Sequence, residues 1–77
     1  MLSGRQFRLK VETLGIESLE GNQRVAVHVP PGSVVKVVAG PKDYDRTMVE
    51  VLWAGHRLAM FLEDVQGRGE PVTVAAD

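Results

Sequence analysis

His28 and His56 are the only imidazoles in the chain, so proton transfer or metal ligation would start from them. Neither has a second histidine two or four residues away, as metal pairs on one strand or helix do. Both are read as surface or edge side chains. Ser3, Ser18 and Ser33 lie outside any nucleophile-elbow pattern. No cysteine is present, which excludes thiol nucleophiles and thiolate-bound zinc. Asp43 and Asp45 could touch a cation, but no calcium-loop pattern continues from them. Glu63 and Asp64 are neighbours, and Asp64 is expected to cap a turn rather than to move protons. The sequence offers no catalytic set, no metal set and no cofactor-binding motif. It reads as a non-enzyme.

Binding is the remaining class. Arg8, Lys10, Arg24 and Arg57 fall on outward positions of predicted strands and are the candidates for nucleic-acid contact. Glu12 and Glu50 share that exterior. The chain carries 9 Lys and Arg against 10 Asp and Glu, so there is no general positive excess to draw in phosphate or anionic lipid. A mixed, solvated face is the simpler reading of these residues. With 44% hydrophobic and 25% charged residues the composition is that of a globular chain. Residues 1–77 suit one small domain. No apolar run reaches the length of a signal peptide or a membrane span, and a soluble, cytoplasmic protein is expected.

The elements that position these side chains follow a period of two. In RQFRLKVE, Phe7, Leu9 and Val11 alternate with Gln6, Arg8, Lys10 and Glu12, which predicts a half-buried strand. In RVAVHV, Val25, Val27 and Val29 alternate with Arg24, Ala26 and His28. Between them, Gly15 suggests a bend and Gly21-Asn22 a turn; the register of TLGIES is not fixed. Pro30 and Pro31 end the strand before them, and Pro31-Gly32 fits the central positions of a type II turn into SVVKVV. Gly40-Pro41 ends that strand, and a charged loop follows.

TMVEVLW and HRLAMF are separated by Ala54-Gly55 alone. A two-residue hairpin there sets Trp53 against His56, Val51 against Leu58 and Val49 against Met60 on the inward face. Leu52 then faces Arg57, Glu50 faces Ala59 and Met48 faces Phe61 on the other. Alanine suits positive φ poorly, which leaves a bulged variant open. FLEDV is expected to form one 3₁₀ turn, QGRGE a loop, and PVTV a last strand through Val72 and Val74.

Short strands, tight turns and no long helix point to an all-β fold: a small barrel of five to six short antiparallel strands with one 3₁₀ turn. The order of elements resembles an SH3-like barrel. Residues 30–53 also resemble the KOW motif of ribosomal and transcription-associated proteins, through Gly32, Val35, Val37, Gly40, Pro41, Val49 and Val51. That resemblance implies RNA or DNA contact. The chain departs from it in the loop, where Asp43, Tyr44 and Asp45 replace glycine and basic residues. The run of aromatic residues that peptide-binding SH3 domains display is also missing.

Val34, Val38, Met48, Leu52 and Phe61 fall on the polar side of the alternation. Either strong bending returns them to the core, or they form an exposed apolar patch that marks a protein contact. The sequence reading is therefore a non-enzymatic interaction module that binds protein, a second copy included, through Met48, Leu52 and Phe61. The alternative is a KOW-like nucleic-acid contact through Arg8, Lys10, Arg24 and Arg57.

Overall fold

A computed structural model describes residues 3–43 and 46–72. The fold is all-β: β1 (Gln6–Leu9), β2 (Thr13–Ser18), β3 (Arg24–Val29), β4 (Val34–Ala39), β5 (Met48–Trp53), β6 (His56–Phe61) and β7 (Gly69–Val72), with one helix, α1 (Leu62–Arg68), before the last strand. They form one antiparallel sheet in the order β3-β2-β6-β5-β4-β1-β7. The seven strands exceed the five to six expected, and β3 does not pair with β7, so the sheet is not closed.

It cannot be flat either. β3 and β4 stand four places apart in the sheet, as do β1 and β2. Flat strands that far apart would be separated by about 19 Å. The link Pro30–Ser33 reaches about 17 Å fully extended, and the three residues after Leu9 reach about 14 Å. The sheet must coil until these ends meet. The meeting point is tied by hydrogen bonds: the Leu9 N–H donates to the Ser33 carbonyl at 2.8 Å, and the Gly32 N–H donates to the Leu9 carbonyl at 2.7 Å.

Coiling gathers one face inward. Phe7, Leu9, Val29, Val35, Val37, Val49, Val51, Leu58, Met60 and Val65 are buried there and form a single cluster. Gly15 was expected to bend the chain. It sits instead in the middle of β2, buried under Leu58, where an added Cβ would come within 3.0 Å of Leu58 Cδ1. TLGIES is thus a strand of its own, paired with β3 on one side and β6 on the other. Val11, expected inside with Phe7 and Leu9, is 46% exposed because β1 ends at Leu9. Trp53, also expected inside, is half-buried at the end of the cluster.

FLEDV and the residues after it form an α-helix rather than a 3₁₀ turn and a loop. The 3₁₀ turn lies elsewhere, over Glu20–Asn22, where Gly21 and Asn22 take φ of 74° and 65°. Val65 pins α1 to the core. Glu63 and Asp64 in its first turn and Arg68 in its last suit the helix dipole. Asp64 pairs with Arg68, 3.5 Å away, instead of capping. Val74 falls outside the described residues.

The two predicted turns are as the sequence reads. Gly32 has φ of 85°, and the Ser33 N–H donates to the Pro30 carbonyl at 3.3 Å, which closes the type II turn. The β5–β6 ladder has every pair expected of it, Trp53 with His56 through Met48 with Phe61. No bulge relieves the hairpin: Ala54 takes φ of 50° and Gly55 80°, as a type I′ turn requires.

That strain can be removed. Ala54→Asn creates an Asn-Gly turn and should raise stability by about 0.5–1 kcal/mol, read as a higher urea midpoint with unchanged slope. Gly32→Val forces a β-branched residue into the same region and should lower stability by about 1–2 kcal/mol or more. An unchanged midpoint for either variant contradicts the turn assignment.

Candidate protein-contact surface

The outward face of the coiled sheet is partly apolar, and strand register decides which of its residues meet. One row crosses the sheet as Ala26 on β3, Ile16 on β2, Ala59 on β6, Glu50 on β5 and Ala39 on β4. Beside it Met48 faces Phe61, and on the same side Leu14 faces His28. Phe61 is 45% exposed and Leu14 39%. The bend does not return these side chains to the core. The small side chains of the alanine row leave a shallow depression of about 170 Å³, lined by Ala39, Gly40, Met48, Glu50 and Ala59 with Lys42 at its lip. Phe61 lines a second depression of about 480 Å³, together with Arg46, Thr47, Leu62 and Glu63.

Leu52 is also exposed, at 44%. It does not adjoin the Met48–Phe61 pair, because Glu50 lies between Leu52 and Met48 on the outer side of β5. Its cross-strand neighbours are Lys36 and Arg57. Of the residues singled out from sequence, Met48 and Phe61 share a patch and Leu52 stands apart among cations. Val34 is 37% exposed, and Val38 is half-buried where the β4–β5 register shifts.

The one charge inside the patch is neutralised locally. Arg57 Nη2 donates to Glu50 Oε2 at 2.9 Å, diagonally across the β5–β6 ladder. Both groups are substantially exposed, so the pair adds under about 1 kcal/mol. It does keep an uncompensated carboxylate out of an apolar row. Lys42 at the first depression and Glu63 beside Phe61 at the second have no ion-pair partner among the described residues.

The nucleic-acid candidates are spread out. Arg24 is on edge strand β3, Arg57 is two strands away on β6, and Arg8 is on β1, facing Val34 and Glu70. Lys10 lies just past the end of β1. The histidines are equally separate. His28 Nδ1 lies 3.1 Å from Glu12 Oε1, and His56 Nδ1 lies 2.9 Å from Glu17 Oε2 near the rim of the core. Among the described residues no three His, Asp or Glu side chains converge as a metal site would need.

Leu14, Ile16, Ala26, Ala39, Ala59 and Lys42 were not legible from sequence as part of this surface. The signal was present in TLGIES, read backwards. Thr13 and Gly15 are its buried positions, and the large apolar side chains point out.

No protein-family model matches the chain, and neither a curated protein nor a solved structure matches it.

An exposed patch and a core position should respond differently to truncation. Phe61→Ser should change stability by about 0.5 kcal/mol or less, the size typical of surface substitutions. Met60→Ala, one residue earlier and fully buried, should cost about 2–5 kcal/mol. Equal losses in denaturant unfolding would place Phe61 in the core.

Proposed function

We propose that this domain is a non-enzymatic interaction module, an SH3-like coiled barrel that binds a protein partner on its outer face. The observation that carries the reading is Phe61 and Leu14, exposed among the described residues beside half-buried Met48 and the row of Ile16, Ala59, Glu50 and Ala39, all outside the core cluster. Exposing large side chains costs a small domain aggregation resistance and gives its fold nothing in return. The alanine-floored depression accepts one apolar side chain of a partner. Lys42 at its lip adds a preference for a carboxylate next to that side chain. The fit is to a segment in which a large apolar residue adjoins an acidic one.

The KOW-like alternative has less support. Its cations are separated along the sheet, and Arg57 is engaged by Glu50. Few phosphate contacts would make any nucleic-acid binding weak and strongly salt-dependent.

Phe61→Asp and Met48→Asp should abolish partner capture while leaving the circular dichroism spectrum unchanged. Capture by the unmodified domain should survive nuclease treatment and persist as salt rises, since apolar burial is not screened. Amide shifts on titration with the partner should centre on Ala39, Met48, Ala59 and Phe61. Capture that disappears with nuclease, or sub-micromolar RNA binding at physiological salt, would replace this reading with the alternative.

A further inference from the structure

The two edges of the sheet are not equivalent, and the hydrogen-bond ladders show how. The Leu19 N–H donates to the Gln23 carbonyl at 2.7 Å, so Leu19–Gln23 is a hydrogen-bonded pair. Pairs alternate along an antiparallel ladder, so Glu17–Val25, Gly15–Val27 and Thr13–Val29 exchange bonds as well. The N–H and C=O groups of Arg24, Ala26 and His28 therefore point away from β2, along the open edge. No partner holds them among the described residues.

The same reasoning gives the opposite result for β7. The Lys10 N–H donates to the Arg68 carbonyl at 2.7 Å, which makes Arg8–Glu70 and Gln6–Val72 the bonded pairs. Gly69 and Pro71 then face outward. The Gly69 N–H is already spent on the Val65 carbonyl at the end of α1, and Pro71 has none. β7 offers its edge no free donor within Gly69–Val72. β3 carries no proline, no bulge and no inward charge, three of the devices that blunt an edge.

We propose that two copies of this chain pair antiparallel along β3, with Ala26 facing Ala26 across the two-fold axis. This register bonds every outward N–H and C=O of Arg24, Ala26 and His28. It also keeps inner and outer faces aligned, as a shift by one residue would not. On the inner side Val25 lies opposite Val27 of the second copy in a close, non-bonded pair, which covers Val25, now 39% exposed. On the outer side Arg24, which has no ion-pair partner among the described residues, lies opposite His28 of the second copy. Glu12 stands 3.1 Å from that imidazole, and the free guanidinium meets this carboxylate. An unrelated peptide strand could use the same backbone groups. Only a second copy brings Glu12 to Arg24 at both ends at once, which is why the edge is assigned to self-pairing. The pairing is independent of the Met48–Phe61 patch.

The test is sedimentation velocity over a concentration series on the full chain. The unmodified protein should show a monomer–dimer equilibrium. Ala26→Pro removes an N–H that faces solvent in the monomer, a position where edge strands tolerate proline, and should leave only monomer. Arg24→Glu alters an exposed, unpaired side chain and should raise the dissociation constant by about tenfold. Adding Glu12→Arg to it should restore the original value. Amides of Arg24, Ala26 and His28 should gain hydrogen-exchange protection with concentration, and Phe61→Asp should change none of this. A monomer at all concentrations overturns the proposal. So does a dimer that survives Ala26→Pro, or a charge swap that fails to restore what Arg24→Glu lost.

Discussion

Two connections too short for a flat sheet govern this molecule. Pro30–Ser33 and the three residues after Leu9 each join strands that stand four places apart. The sheet coils because the chain cannot reach otherwise, and the Leu9, Gly32 and Ser33 backbone groups lock the coil where the two links meet. Everything else is set by that curvature. The concave side becomes the core, and Val65 of the helix completes it. The convex side becomes a surface that no other element among the described residues covers.

Curvature also explains the distribution of small side chains. A strongly bent sheet crowds its inner face and spreads its outer one. Gly15 is placed where Leu58 needs room inside, and Gly40 where a side chain would press on the Met48 and Val49 backbone. The alanines on the outer face have no such steric reason, since space there is free. Their effect is to leave a shallow trough between Met48 and Lys42, bridged at one side by the Glu50–Arg57 pair. At about 170 Å³ the trough has room for roughly one side chain.

How much of this was legible in the sequence depends on the element. The β5–β6 hairpin was readable pair by pair, because a two-residue turn fixes register and the valines then choose the face. The Pro31-Gly32 turn was readable because only glycine suits its second central position. β2 was not. Its period of two is intact, but its small and polar residues are inside and its large ones outside, so the pattern did not show a face and Gly15 read as a bend. The helix was missed because a single buried residue, Val65, leaves no helical period to detect in seven positions. Of the surface, Met48 and Phe61 were legible as outward apolar residues, whereas Ile16 and the alanines were not. Membership in the patch depends on the β2–β6 pairing, which joins segments distant in sequence.

The failure of the sheet to close has a local cause that ties the helix to the edge. Gly69 ends α1 with its N–H on the Val65 carbonyl, and a Cβ on Gly69 would overlap that same oxygen. The cap therefore requires glycine and consumes the donor that β7 would otherwise turn toward β3. Pro71, two residues on, lacks a donor at the next outward position. Over Gly69–Val72, a β3–β7 ladder would have acceptors only on the β7 side and would forfeit about half its bonds, each worth about 1 kcal/mol net. Water solvates the β3 groups at no such loss, so the open state is preferred. The helix fills the core while the sheet stays open, and the edge left free is β3, with three valines among its six residues.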